Sequence, residues 1–156
     1  MKRPIVMSTI ATALALTAVS MTAAACAATC VPDAASLDRA IAATIGAVRG
    51  NDPQAFMDQV SRDGLALGTD GPLVSYQALT TQFAGRTGRY CDLFSCGGKD
   101  GDMHARFQAG AMDKSIDAKH GVASVFINAN SNDELDLSYK WSAARCRWEL
   151  TGAGVP

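Results

Sequence analysis

The sequence predicts an α+β fold in which N-terminal helices pack against an antiparallel sheet. Apolar residues recur at helical spacing in the first half of the chain, and they alternate with polar or small residues over 122–129 and 134–142 in the second half. Residues 130–133, Asn-Ser-Asn-Asp, form a predicted turn because Asn and Asp tolerate positive φ. No repeat or linker interrupts this order, so a single domain is expected over 28–156.

Three helices are predicted where a capping residue precedes apolar residues at helical spacing. The first begins at its cap Ser36 and stops at Gly50, and the second begins after Asp52, with proline in its first turn. The third begins after Ser75 and ends at Gly85.

Strands are predicted for residues 64–68, 89–94, 122–129, 134–142 and 145–151, with interrupted extended structure over 105–119. In the last two strands, alternate residues are expected to face inward. The predicted inward set is Leu135, Leu137, Tyr139, Trp141, Cys146, Trp148 and Leu150. The predicted outward set is Asp136, Ser138, Lys140, Arg145, Arg147 and Glu149. The two sets predict one apolar and one polar face for the closing hairpin.

A secretory signal is predicted for residues 1–27. Lys2 and Arg3 form a basic start, residues 5–19 are almost wholly apolar or small, and small residues fill 22–28. The apolar run is too short and too rich in Ala and Thr to predict a membrane span. The chain is therefore expected in a bacterial-type periplasm or cell envelope, where thiols can oxidise.

Two kinds of processing remain open. Simple cleavage would follow Ala25 or Ala27. The alternative is lipidation of Cys26, because Ala-Ala-Ala-Cys loosely matches a lipoprotein signal, with Ala where a bulky aliphatic residue is usual. A membrane association is expected only if Cys26 carries a lipid.

The charge of the chain excludes some partners. The full chain has a net charge of −1, and removal of the two basic residues of the signal leaves 12 basic and 15 acidic residues, a net charge of −3. Both signs are interspersed, so there is neither the basic footprint of a nucleic-acid-binding protein nor a polybasic membrane patch. No nucleic-acid partner is expected.

Beyond Cys26, four cysteines remain, and an even number in an exported chain predicts two disulfides. Strand parity points Cys91 and Cys146 inward, whereas Cys30 and Cys96 lie in irregular segments. Two pairings of Cys91 stay open, with Cys96 or with Cys146. The sequence slightly favours Cys91–Cys96 together with Cys30–Cys146. Zinc is not expected, because no second pair of ligands stands at the right spacing.

The order of elements and three local patterns resemble a known fold family. The patterns are Gly-Asn-Asp-Pro-Gln-Ala-Phe at 50–56, Asp-Gly-Leu-Ala-Leu-Gly at 63–68 and Arg-Trp-Glu-Leu at 147–150. Together they resemble the NTF2-like (SnoaL-like) α+β cone, a curved sheet wrapped around helices, over about 36–151. The segment 91–102 is longer than the plain fold implies. The family includes enzymes, ligand binders, assembly modules and inhibitors, so the resemblance implies no single function.

Few residues are candidates for chemistry. Enzymes of the family work with an Asp or His inside the cone, and the resemblance therefore draws attention to Asp102 and His104. Two residues apart on a strand, they would face the same way and form an acid–base couple; a solvated loop end is the alternative. His120 precedes a glycine and is expected in an exposed turn. No cofactor or metal is expected, because the Asp and Asn clusters do not match a calcium loop.

We therefore expect a non-enzymatic exported protein that binds another envelope or secreted protein, as an envelope assembly factor or an inhibitor of a secreted effector. The alternative is a small-ligand-binding protein or cone-type enzyme with a polar pocket. The interior of the cone distinguishes the two. A deep pocket with converging polar groups favours the alternative, and an interior filled by apolar side chains favours protein binding.

Overall fold

The computed structural model describes residues 30–68 and 71–155. The α-helices of this part of the chain are α1 (Ala34–Arg49), α2 (Pro53–Gln59), α3 (Tyr76–Gly85) and α4 (Arg89–Leu93), and a 3-10 helix spans His104–Arg106. The strands are β1 (Leu65–Leu67), β2 (Leu73–Val74), β3 (Met112–Asp117), β4 (Val122–Ile127), β5 (Leu135–Ser142) and β6 (Arg147–Gly154). The predicted signal and Cys26 lie outside the described residues.

The six strands of the described chain form one mixed sheet in the order β2-β1-β6-β5-β4-β3. Strands β3 to β6 form an antiparallel meander, and β1 pairs antiparallel with β2. Strand β1 pairs parallel with β6, with Ala66 opposite Gly152. The α+β class is confirmed, and the sheet is antiparallel as predicted except for the parallel pair of β1 and β6.

Helix α1 begins earlier than the sequence predicted. Its N-cap is Asp33, whose carboxylate accepts a hydrogen bond from the Ser36 backbone N–H at 2.6 Å. Ser36 occupies the third helical position and returns a contact to the Asp33 backbone, which completes a capping box. The hydrogen bond from Ser36 lowers the pKa of Asp33. The caps predicted for the next two helices, Asp52 and Ser75, are confirmed.

The strand predicted at 89–94 was wrong, because residues Arg89–Leu93 form helix α4. Helical spacing buries Tyr90, Leu93 and Phe94 together, and this packing outweighs the strand preference of the aromatic residues. The parity that pointed Cys91 inward therefore does not apply.

The closing hairpin of β5 and β6 follows most of the predicted parity. Tyr139, Trp148 and Leu150 are buried as predicted, and Trp141 packs edge-to-face on Trp148 at 5.5 Å between ring centroids. Cys146 was predicted to face inward, but it lies in the turn before β6, is exposed, and has a φ of 49°. A bulge after Ser138 shifts the register, so that parity changes toward the end of β6.

The structure places both cysteine pairs at disulfide distance. Cys30 pairs with Cys146, which ties the chain before α1 to the β5–β6 turn, and Cys91 pairs with Cys96 across a separation of five residues. This is the first of the two pairings that the sequence left open.

One prediction concerns the outer face of the sheet, where Asp136 lies opposite Phe126. Its Oδ1 atom is buried and has no hydrogen-bond partner among the described residues. Burial and, secondarily, the nearby Glu134 raise its pKa from the ordinary 3.8. The ionised form is thus disfavoured in the folded state. The resulting loss of folding stability is fully present at pH values above the raised pKa. It disappears as the pH falls below the pKa of Asp136 in the unfolded chain.

Asp136→Asn is therefore expected to raise the melting temperature near pH 7 and to leave it unchanged near pH 3. The matched control is Asp113→Asn, which removes an exposed carboxylate from the edge strand β3 of the same sheet. Thermal unfolding at the two pH values measures both variants. An equal gain from Asp136→Asn at both pH values would contradict the prediction.

Candidate functional site

The structure does not bring Asp102 and His104 together. Asp102 lies in an exposed turn, and His104 begins the 3-10 helix, so the alternation of a strand does not apply to them. No hydrogen bond or ion pair joins the two side chains among the contacts of the described residues. The acid–base couple predicted for a strand is absent from this part of the chain.

His104 is instead half-buried and fixed by the backbone. Its Nδ1 atom lies 2.8 Å from the carbonyl oxygen of Leu93, which can only accept, so Nδ1 donates and Nε2 of the neutral ring holds the lone pair. The ring lines a shallow hollow of about 270 Å³ together with Arg49, Phe107 and Gln108. His120 lies where the sequence predicted it, in an exposed turn, and its hydrogen bond lowers the pKa of Asp117.

His104→Ala is expected to cost about 1 kcal/mol of unfolding free energy, because it removes a partly buried hydrogen bond to the backbone. His120→Ala is the control and is expected to change stability by less than about 0.5 kcal/mol, because its partner Asp117 is solvent-exposed. Denaturant unfolding measures both values. Equal losses for the two variants would contradict a structural role for the His104 ring.

The space between the helices and the sheet is filled by apolar side chains. Phe56 stacks on Phe83 at 5.8 Å and meets Phe94 and Phe107 edge-to-face at 5.9 and 6.4 Å. Tyr90 packs on Phe94 at 5.2 Å, which extends the cluster to α4. These rings join the buried leucines and valines of the sheet in one continuous core.

A polar hollow lies where the β5–β6 turn meets the segment after α2. Its volume is about 280 Å³. The backbone N–H of Ser61 donates to the Leu150 carbonyl at 2.9 Å, which holds the segment beside β6. We call this site the hairpin hollow, and its lining includes Arg62, Asp63, Lys140, Trp141, Arg145 and Glu149.

Glu149 forms the floor of the hairpin hollow. It faces outward as predicted, but only 6% of the residue is exposed. Its Oε1 atom lies 2.5 Å from Nε of Arg145 and 3.9 Å from Nε of Arg147, without the directionality of a hydrogen bond to either. A buried carboxylate needs neighbouring cations to offset its lost hydration. The two arginines supply them and are held in place by it.

Two further cations lie at the rim of the hairpin hollow. The guanidinium of Arg62 lies over the ring of Tyr76, 4.1 Å from its centroid. Lys140 Nζ lies 2.8 Å from Oδ2 of Asp63, and this hydrogen bond raises the pKa of Lys140. The pair of Lys140 and Asp63 is exposed and neutral overall, whereas Arg62 has no carboxylate partner among the contacts of the described residues.

The fold is similar to that of a solved structure. A crystal structure of an NTF-2 like protein of unknown function from Silicibacter pomeroyi DSS-3 aligns with a TM-score of 0.44 and 12% identity, over 77% of this chain and 91% of that chain. The resemblance to NTF2-like proteins is shown, and it is loose. No family model and no curated protein matches the chain.

Two further properties of the described residues concern metal ions and membranes. Over 30–68 and 71–155, no three His, Cys, Asp or Glu side chains are arranged to hold a metal ion. In the same ranges, no helix is long and apolar enough to cross a membrane.

Sequence reasoning missed the hairpin hollow although part of its signal was present. Arg145, Arg147 and Glu149 share one parity and were predicted as solvated outward residues. An acid that follows two cations at two-residue spacing predicts an ion-pair group on one face of a strand. Arg62 carried no such signal, because the parallel pairing of β1 with β6 brings its segment to this site.

Proposed function

We propose that the protein is exported and acts as a non-enzymatic module that binds another envelope or secreted protein, as an assembly factor or as an inhibitor of a secreted effector. The observation that carries the proposal is the filled interior. Phe56, Phe83, Phe94 and Phe107 occupy the volume in which a ligand-binding cone needs a pocket. The surface of the domain then offers the sites of interaction.

Export is supported by the predicted signal over 1–27 and by the two cysteine pairs at disulfide distance, which suit an oxidising compartment. Intact mass of the protein from an envelope fraction tests this part of the proposal. A mass that lacks the signal supports export, and a lipid-sized addition on Cys26 identifies a tethered form. A mass that still contains the signal in full contradicts it.

Binding is tested by affinity capture of the tagged, oxidised protein from a periplasmic extract, with mass spectrometry of the eluate. The expected result is one partner enriched in proportion to the bait. The control bait is the same protein with Phe56→Ala, which removes a ring that is 0% exposed and so disturbs the fold behind the surface. Capture of the same proteins by both baits, or of none by the native bait, contradicts the proposal.

A small-ligand-binding protein or cone-type enzyme is the second candidate function, and one observation favours it. His104 lines the same hollow as Arg49, and with Nδ1 donating to the Leu93 carbonyl its Nε2 atom is the ring nitrogen left for a ligand. A base beside a cation suits a small anionic ligand or substrate. The measurement is a screen of small carboxylates and phosphates by thermal shift. A stabilisation that His104→Ala and Arg49→Gln both abolish would support this candidate over protein binding.

A further inference from the structure

The hairpin hollow carries an excess of cations in a chain that is acidic overall. Its lining includes three cations, Arg62, Lys140 and Arg145, and two carboxylates, Asp63 and Glu149. Arg147, which also lies near Glu149, lines a separate hollow and is not part of this excess. The whole chain carries a net charge of −1, so the excess at this site is local. A local cationic surface attracts anionic groups and selects against cationic ones.

Arg145, the first arginine of the hollow, is held by Glu149 and still has N–H donors without a partner. Glu149 contacts Arg145 through Nε, and the Nη2 atom of the same guanidinium has no hydrogen-bond partner among the described residues. A guanidinium carries five N–H donors in a rigid fork that matches a carboxylate. Because Nε lies against Glu149, the Nη1 and Nη2 amino groups are the donors of Arg145 that remain for a ligand. The Nη2 atom itself is buried, although 30% of the whole Arg145 side chain is exposed, so it is an unpaired donor beneath the surface of the hollow.

The second arginine is anchored in a different way. The face of the Arg62 guanidinium rests over the ring of Tyr76 at 4.1 Å, a contact that uses the π-face and leaves the N–H edge free. No hydrogen bond or ion pair of Arg62 occurs among the contacts of the described residues. Two guanidiniums with fixed anchors thus line one hollow of about 280 Å³. Anchoring lowers the conformational entropy that each side chain loses when it binds an anion.

We infer that the hairpin hollow is a carboxylate-binding site that receives a glutamate or aspartate side chain from an acidic segment of the partner protein. The inference rests on the proposed function and names the chemistry of the partner. Arg62 and Arg145 donate N–H groups to the incoming carboxylate, and Lys140 lies at the rim as a point charge. Glu149 is the internal carboxylate that holds Arg145 in position, and it does not contact the partner.

Titration of the oxidised protein with a short blocked peptide rich in glutamate tests the site. Trp141 lines the hollow and Trp148 is 1% exposed, so a change in tryptophan fluorescence on binding reports the environment of Trp141. We expect saturable binding, and a loss of affinity of about tenfold or more for the same peptide with glutamine in place of glutamate. Equal affinity for the two peptides would overturn the inference. Inorganic phosphate that binds more tightly than the acidic peptide would overturn it as well.

Arg62→Gln is the primary variant, because it leaves the ion pair of Arg145 and Glu149 intact and the fold undisturbed. We expect it to weaken binding of the acidic peptide by about fivefold to tenfold with an unchanged unfolding midpoint. Lys119→Gln is the matched control, since it removes one exposed cation in the β3–β4 turn, away from the hollow, and should bind like the native protein. Equal affinity of the two variants would refute the role of Arg62.

The failure of this inference can be told apart from the failure of the proposed function. Capture of the same partner by native protein and by Arg62→Gln refutes the carboxylate site and leaves protein binding in place. Binding of the acidic peptide without any captured partner supports the site and contradicts the proposed function. Loss of the captured partner in Arg62→Gln, with retention in Lys119→Gln, supports both.

Discussion

Trp148→Ala is expected to lower the free energy of unfolding by about 3–5 kcal/mol, the range found for large aromatic residues removed from a core. The side chain is 1% exposed and packs edge-to-face on Trp141. Its Nε1 atom lies 3.2 Å from both the Asp33 carbonyl oxygen and Ser36 Oγ. The substitution therefore opens a cavity and also removes the donor that joins β6 to the start of α1.

Chemical denaturation followed by far-UV circular dichroism measures this loss without depending on tryptophan emission. Trp148→Phe retains an aromatic ring and removes the N–H donor with part of the ring volume, so it should cost less than Trp148→Ala. Val122→Ala is the control for a strand residue of low burial, since Val122 is 45% exposed, and it should cost less than about 1 kcal/mol. A loss for Trp148→Ala that is as small as this control would show that the ring does not belong to the core.

The second large effect is expected from the disulfide between Cys30 and Cys146. Its sequence separation of 116 residues closes a long loop in the unfolded chain, and replacement of both residues by serine should cost about 5 kcal/mol on the loop-entropy model. The same replacement at Cys91 and Cys96, with a separation of five residues, should cost about 2 kcal/mol.

The pair of double variants forms its own internal comparison, because both remove one disulfide and add two serines. Urea unfolding of the oxidised proteins gives the two free energies. The expected order is a larger loss for Cys30→Ser with Cys146→Ser than for Cys91→Ser with Cys96→Ser. The reverse order would show that local contacts, rather than loop closure, determine what each bridge contributes. Peptide maps with and without reductant identify the bridges in the native protein.

Local signals predicted the fold where the chain obeys one periodicity over a whole element. The alternation over 134–142 placed Leu135, Leu137 and Tyr139 inside, and capping residues located α2 and α3. The prediction failed at 89–94, where aromatic residues suit either a strand or a short helix, and only packing among Tyr90, Phe94 and Phe83 decides between them. Such a choice depends on tertiary contacts that no short window contains.

The candidate site was less accessible to sequence reasoning than the fold. The search for acid–base chemistry led to Asp102 and His104, which lie apart in a turn and a 3-10 helix. The hairpin hollow combines the 61–63 segment with the β5–β6 hairpin, which are separated by more than half of the domain and meet because β1 pairs with β6. Single-sequence patterns describe faces of elements, and they do not describe which elements meet.

The parallel pairing of β1 with β6 also affects the order in which the chain can fold. Strand β1 lies between β2 and β6, and α1 packs against both α2 and β6, so the first elements of the described chain complete their packing only when the last strand is present. When the chain emerges N-terminus first, the sides of α1 and β1 that contact β6 stay unpacked until β6 is available. Contacts between residues that are far apart in sequence favour slow folding, and the partly folded chain exposes apolar surface until they form. In the export that we propose, this dependence would delay completion of the fold until the last strand has crossed the membrane.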